Sequence, residues 1–196
     1  AEPPRREPRR RPAPRRRHRA RRRAQDLARD ALINYRYNGS PSTDHDLEFH
    51  EEIENGYLAG PRYRAAGPQV TVTGGLVDER KQHKNAESIG MIADGIDEIR
   101  KAVRICCREG VDNVKFNVSG DEFVGNARAE IISMTEAELT EGVKIAHDWG
   151  KRTACHSRAA ESVKRAVRAG VDCIYHCDFA DEEALDRRLE RAAEQS

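Results

Sequence analysis

The apolar positions of this chain follow two periods in alternation. From Ile96 to Glu109 apolar residues recur three and four apart, at Ile96, Ile99, Val103 and the Cys106-Cys107 pair, which predicts a helix with one inward stripe. The run that follows, Gly110-Val-Asp-Asn-Val-Lys115, leads into Val114, Phe116 and Val118 alternating with Asn113, Lys115 and Asn117, the period of a strand. The same succession of helix, short apolar run and terminal polar residue returns in Lys151-Arg-Thr-Ala-Cys-His156 and in Gly170-Val-Asp-Cys-Ile-Tyr-His176. Such a rhythm predicts a parallel β/α fold.

Internal similarity supports the same architecture. Glu98-Ile-Arg-Lys-Ala-Val-Arg104 before Gly110-Val-Asp112 recurs as Glu161-Ser-Val-Lys-Arg-Ala-Val-Arg168 before Gly170-Val-Asp172, as stacked β/α units would require. Thr135-x-x-Glu138 is a capping box that opens a helix through Leu139, Val143 and Ala146. A last helix is predicted over 181–195 with Leu185 and Leu189 inward, and earlier helices over 24–38 and 47–57. Val70 and Val72 alternate with threonines as a strand entering Gly74-Gly75. Residues 76–93 and 119–132 read as long polar loops, the second a candidate lid over a substrate, the first carrying His83 as a weak ligand candidate.

Counting by twos along each strand asks whether the three terminal polar residues converge. Asn113 and Asn117 share a face with Lys115, Ala154 shares one with His156, and Ile174 shares one with His176. A lysine and two histidines then stand at the carboxyl ends of successive parallel strands, where α/β barrels keep their chemistry. The adjacent Cys106 and Cys107 point about 100° apart on a helix and are read as packing residues.

Charge changes the picture at one end of the chain. Residues 1–23 hold twelve Arg and five Pro against two Glu, a local balance of +10, so that residues 24–196 carry −9 of the chain's net +1. That segment is expected to be disordered. An Arg-rich arm for nucleic acid or another polyanion is one reading of it, disfavoured because no aromatic residue is interleaved for base stacking. The boundary is drawn between residues 38 and 39, with a β/α domain over 39–196. Five Cys without paired spacing argue for a reducing compartment, and no apolar run is long enough to cross a membrane, so the expected location is cytoplasmic.

Lysine as an ammonium has no lone pair and cannot bind a metal. Buried beside divalent cations it can lose its proton and react with carbon dioxide, giving a carbamate with two anionic oxygens. This makes a strand-end Lys grouped with two strand-end His a candidate metal centre.

At this point the chain resembles the metal-dependent amidohydrolase superfamily, in its imidazolonepropionase-like and dipeptidase-like branch. The residues that carry the resemblance are Gly56-Tyr-Leu-Ala-Gly-Pro-Arg-Tyr-Arg-Ala-Ala-Gly67, Thr73-Gly-Gly75, Val114-Lys115, Ala154-Cys-His156 and Ile174-Tyr-His176. The resemblance implies a (β/α) barrel of TIM type, here incomplete and covering about strands 2 to 6 of eight. It further implies one or two divalent ions, zinc first, with Lys115 as a carboxylated bridging ligand and His156 and His176 as ligands of the second ion. A metal-activated water would then hydrolyse a C–N bond in an amide, urea or carbamate-like small molecule. Asn117 and Arg158 are candidate substrate-binding residues, and the strings around them look more like relatives that cleave substituted ureas or thiocarbamates than like peptidases. The family's His-x-His pair and its strand-eight Asp have no counterpart in this sequence, and Asp178 and Asp181 lie too early for the latter role. No catalytic base is therefore assigned. Further copies of the chain remain an optional partner, and a non-catalytic remnant is the alternative to an enzyme.

Overall fold

The computed structural model describes residues 43–58, 64–78, 80, 88, 90–122, 124, 125 and 127–194. The Arg-rich segment, the helix predicted over 24–38, the boundary at residue 38 and His83 lie outside the described residues. In chain order the elements are α1 (Thr43–Glu54), β1 (Val70–Thr71), β2 (Met91–Ile92), α2 (Gly95–Arg108), β3 (Asn113–Asn117) and α3 (Glu136–Asp148). β4 (Arg152–Ala159), α4 (Ala160–Ala169), β5 (Cys173–Phe179) and α5 (Glu182–Glu194) follow. The five strands form one parallel sheet in the order β2-β1-β3-β4-β5. It matches part of the expected α/β barrel.

Alternation decides which face of β3 meets the helices. Val114, Phe116 and Val118 enter a core that also holds Ile99, Val103 and Cys106 of α2 and Leu139, Val143 and Ala146 of α3. Asn113, Lys115 and Asn117 face the other way and are also buried. α2 begins with Asp97 and Glu98 and ends with Arg108, charges that suit the two poles of a helix. Its stripe is narrower than the sequence pattern suggests: Ile99, Val103, Cys106 and Cys107 are buried, but Ile96 in the first turn is exposed.

The capping box at Thr135 forms as predicted, and Glu138 joins two helices through it. One carboxylate oxygen accepts from the Thr135 N–H and hydroxyl, at 2.8 and 2.6 Å, while the other accepts from Gly95 N at 2.8 Å at the start of α2. The repeated Gly-Val-Asp string has a structural cause as well. Asp112 Oδ2 accepts from Ala65 N at 2.8 Å, and Asp172 Oδ2 accepts from Thr153 N and Oγ1 at 2.7 and 2.8 Å. Each Asp thus ties the start of its own strand to backbone on the neighbouring side, and each is preceded by a Gly with φ near +90° that ends the turn.

Three expectations need correction. Residues 76–93 are not all loop, because Met91–Ile92 pairs in parallel with β1; a two-residue strand is too short to show a period. The helix predicted over 47–57 runs over Thr43–Glu54 instead. In α5, which packs against α4, the inward residue is Ala184, fully buried, and Leu185 is exposed. Leu189 lies outside the residues whose side chains are described. No helix among the described residues is long and apolar enough to cross a membrane.

α3 approaches β3 closely at Gly142, where an added Cβ would stand 2.7 Å from Phe116 Cε1 and 3.2 Å from Ile99 Cγ2. Gly142→Ala is therefore expected to destabilise the protein by about 1–3 kcal/mol through overpacking, although Ala in an open helix position would stabilise by about 1 kcal/mol. Urea unfolding of parent and variant decides between the two signs.

Candidate metal centre

Parallel pairing places in-register residues of neighbouring strands on one face. The register aligns Lys115 with Ala154 and Ala154 with Cys173; one step further along it aligns Asn117 with His156 and His156 with Tyr175. Lys115 and His156 thus stand in successive rows on the face turned away from the helices, as the alternation predicts. Both are closed to solvent, at 5% and 4% exposure.

His176 reaches the same place by another route. Ile174 packs in the core and pairs with Cys155, so simple alternation would send His176 toward the helices and Tyr175 into the site row. Tyr175 does occupy that row, and its ring lies 5.1 Å from Lys115 Nζ. The expectation that His176 shares a face with Ile174 is corrected here. Between Ser157↔His176 and Ala159↔Phe179, β5 advances one residue more than β4, a bulge in which His176 and Cys177 take left-handed φ values of 72° and 60°. For residues with a Cβ this conformation costs on the order of 1–3 kcal/mol each. Its effect is to re-aim the His176 ring, whose centroid lies 4.4 Å from that of His156. No periodicity reports such a bulge, which is why the aim of His176 escapes a sequence reading.

The electrostatics of the three groups bias one another toward neutrality. Burial pushes the Lys115 amine down to about 8, with the Cys155 and Cys173 thiols opposing. Among the described residues no carboxylate stands within ion-pair distance of it. Burial likewise pushes His156 down to about 4; the Gly120 carbonyl opposes, His176 and Lys115 add to the shift, and Asp121 opposes it. His176 is lowered by burial, then by Arg158 and Lys115, against Asp178 and Asp121.

Geometry also fixes the tautomer of His156. Its Nε2 lies 2.8 Å from the Gly120 carbonyl oxygen, which can only accept, so Nε2 carries the proton and Nδ1 carries the lone pair. A ring nitrogen donating to a backbone carbonyl while the other stays free is the usual setting of a metal-ligating His. The residues present therefore fit a divalent metal in part. Lone pairs come from two neutral imidazoles, while the buried amine could become a ligand only after carboxylation. Among the described residues no three His, Cys, Asp or Glu side chains gather closely enough to hold an ion.

The remaining candidates have other engagements. Asn117 is fully buried; its Nδ2 donates to the Leu76 carbonyl at 3.3 Å, and its Oδ1 has no hydrogen-bond partner. Arg158 faces Asp121, Glu122 and Asp178. Asp181 caps α5 and pairs with Lys164 at 2.8 Å, and so stands apart from the histidines. Asp121, 3.7 Å from His156 Nε2, belongs to the site; the Asn117-Val-Ser-Gly-Asp121 string contains it, but no period marks its loop position as a site residue.

A parallel sheet with its donors at the carboxyl rim defines a β/α class of protein. No family model matches the chain. It is 24% identical over 161 residues to the ochratoxinase of Aspergillus niger, a match covering 74% of this chain and 33% of that protein. Among solved structures it is similar to a prolidase complexed with N-methylphosphonate-L-proline, with TM-score 0.70 and 25% identity over 78% of this chain and 39% of that one. A Xaa-Pro dipeptidase with bound methionine in the active site gives TM-score 0.67 and 31% identity over 75% and 37%. Over this matched region the chain is similar to hydrolases of the amidohydrolase superfamily. It spans about a third of the length of the ochratoxinase and under two fifths of the two solved structures.

The depressed His156 value has a consequence for stability. The unfolded imidazole titrates near 6.5 and the folded one near 4, so the unfolded state binds the proton first and stability falls as pH drops through that window. In the presence of a chelator, the parent should lose about 3 kcal/mol more between pH 6.5 and pH 4 than His156→Gln. Urea titrations at stepped pH read the difference, and parallel curves would contradict the burial of this ring.

Proposed function

We propose that this chain supplies the strand-end metal-binding part of an amidohydrolase that cleaves the C–N bond of an amide, and that Lys115, His156 and His176 hold one or two divalent ions, zinc first. The observation that carries this is the convergence of two neutral, oriented imidazoles with a buried amine that has no carboxylate counter-charge among the described residues. Likeness to a Xaa-Pro dipeptidase and a prolidase favours an amide of a dipeptide-like molecule over the ureas and thiocarbamates that the loop strings suggest.

A bound divalent ion supplies Lewis acidity and lowers the pKa of water at the carbonyl. This chain's residues do the rest of the work assigned here. His156 presents Nδ1 because Gly120 holds the Nε2 proton, and His176 is turned beside it by the bulge. Lys115, in the row beneath and against the Tyr175 ring, is set to react as the free amine with carbon dioxide, the N–C bond forming as one proton leaves and the neutral amine becoming an anionic carbamate. In the overall reaction water adds to the amide carbon, the C–N bond breaks, and the amine departs with a proton.

Two measurements test the reading. Metal-free full-length chain titrated with Zn²⁺ should bind it, and Lys115→Ala should weaken binding at least tenfold. Depletion of bicarbonate should weaken the parent but leave Lys115→Ala unchanged. Equal affinity in parent and variant would remove Lys115 from the centre. Hydrolysis of Xaa-Pro dipeptides and N-acyl amino acids by the zinc-loaded chain, absent in His156→Ala, tests the activity itself.

A further inference from the structure

Arg158 lies two residues beyond His156 on β4, and its side chain is 14% exposed. Its guanidinium meets carboxylates from two different elements. Nη1 stands 3.2 Å from Glu122 Oε1 and Nε 3.7 Å from Asp121 Oδ2, both in the loop after β3, while Nε also stands 3.2 Å from Asp178 Oδ2 at the end of β5. The Arg158 backbone N–H donates to Ser119 Oγ at 2.8 Å, at the root of the same loop.

Both imidazoles depend on these two elements. The carbonyl that fixes the His156 tautomer belongs to Gly120, next to Asp121, and Asp121 Oδ2 is itself 3.7 Å from His156 Nε2. The left-handed pair His176 and Cys177 directly precedes Asp178. The geometry points to Arg158 as the positioning residue that holds both imidazoles in place, pinning the 119–122 segment over His156 and the strained end of β5 that aims His176. This deepens the metal-centre reading, on which it rests for what the imidazoles hold.

The physical argument is one of charge and strain. Without the guanidinium, Asp121, Glu122 and Asp178 would be three carboxylates crowded at one rim, and their repulsion would part the loop from the strand end. Moving the loop removes the Gly120 carbonyl from His156, which frees the ring to exchange tautomers. Releasing Asp178 allows His176 and Cys177 to relax toward ordinary strand geometry, which by alternation turns His176 to the face of Ile174. Arg158 Nε makes no aligned hydrogen bond to these partners, so the hold is electrostatic and spread over all three. A substrate anion would have to displace carboxylates already facing the guanidinium, which argues against Arg158 as a substrate-binding group. Lysine keeps the charge but lacks the fork that spans two elements.

The test uses the full chain, first metal-free and then titrated with Co²⁺. Imidazole ¹⁵N signals are expected to show His156 with its proton fixed on Nε2 in the parent and exchanging between nitrogens in Arg158→Met. Co²⁺ affinity should fall about 10–100-fold in that variant, and Arg158→Lys should recover part of both. Asp178→Asn, a change at a half-exposed side chain, should move the His176 signals and leave those of His156. Unmoved imidazole signals in both Arg158→Met and Asp178→Asn, with loss only of binding to N-acetyl-L-proline, would overturn the proposal and return Arg158 to the substrate. A parent that binds no Co²⁺ would sink the metal reading, and the metal-free ¹⁵N comparison would still decide the role of Arg158.

Discussion

An amine closed to water inside a sheet, with no carboxylate in ion-pair reach among the described residues, is the constraint on which the rest of this site depends. Desolvating an ammonium costs several kcal/mol even after relaxation, and the Tyr175 ring at 5.1 Å offsets a part of that, on the order of 1–2 kcal/mol. The charged form of Lys115 is therefore disfavoured where it stands. Its neighbours respond to the same field: a proton on His156 or His176 would add a second cation to an already uncompensated one, and both rings are lowered in part by Lys115. The two imidazoles are thus held as lone-pair donors, and the Lys115 amine is brought closer to giving up its proton than it would be in water. Metal binding needs that state of the ligands.

Such a cluster requires a scaffold that does not yield, and the fold separates the two tasks by end of strand. Asp112 and Asp172 bind backbone N–H groups where β3 and β5 begin, opposite the rim that carries Lys115, His156 and His176. Between these ends the sheet is packed against α2 and α3 through Phe116, Ile99 and Leu139 without room for one added methyl at Gly142. Backbone-anchoring carboxylates gather at the amino ends, while the left-handed strain of His176 and Cys177 and the buried basic groups lie toward the carboxyl ends. That division is the one expected of β/α barrels.

The same division explains what could be read from the sequence. Lys115, the core residues around it and the His156 row obey a period of two and a period of 3.6, so their faces follow from counting. The capping box at Thr135 is legible because it is local. The rim position of His176 follows from its place after Ile174, but its face does not follow from alternation, because a bulge with two left-handed residues leaves no periodic trace and Cys177 is not a residue that advertises positive φ. Asp121 and Tyr175 were missed for related reasons: one sits in a loop, where spatial proximity has no sequence period, and the other looks like an ordinary apolar strand residue. Ile96 and Leu185 err in the opposite sense, being apolar residues at positions where a stripe runs out and a smaller neighbour makes the contact.

The two histidines consequently differ in how firmly they are held. His156 lies within a continuous ladder, paired on both sides, with its ring proton anchored to Gly120. His176 lies where that ladder slips, in a backbone conformation that would relax if released, and its ring is kept beside His156 by what surrounds it rather than by its own strand. A strained ligand of this kind is maintained only while the surrounding contacts over-determine it. Those contacts come from the loop after β3 and the end of β5, brought together across β4 by oppositely charged side chains. The geometry of the centre is thus set by two mechanisms of different strength, hydrogen-bonded register for one imidazole and electrostatic closure of a bulge for the other, and a perturbation at the rim should reach His176 before it reaches His156.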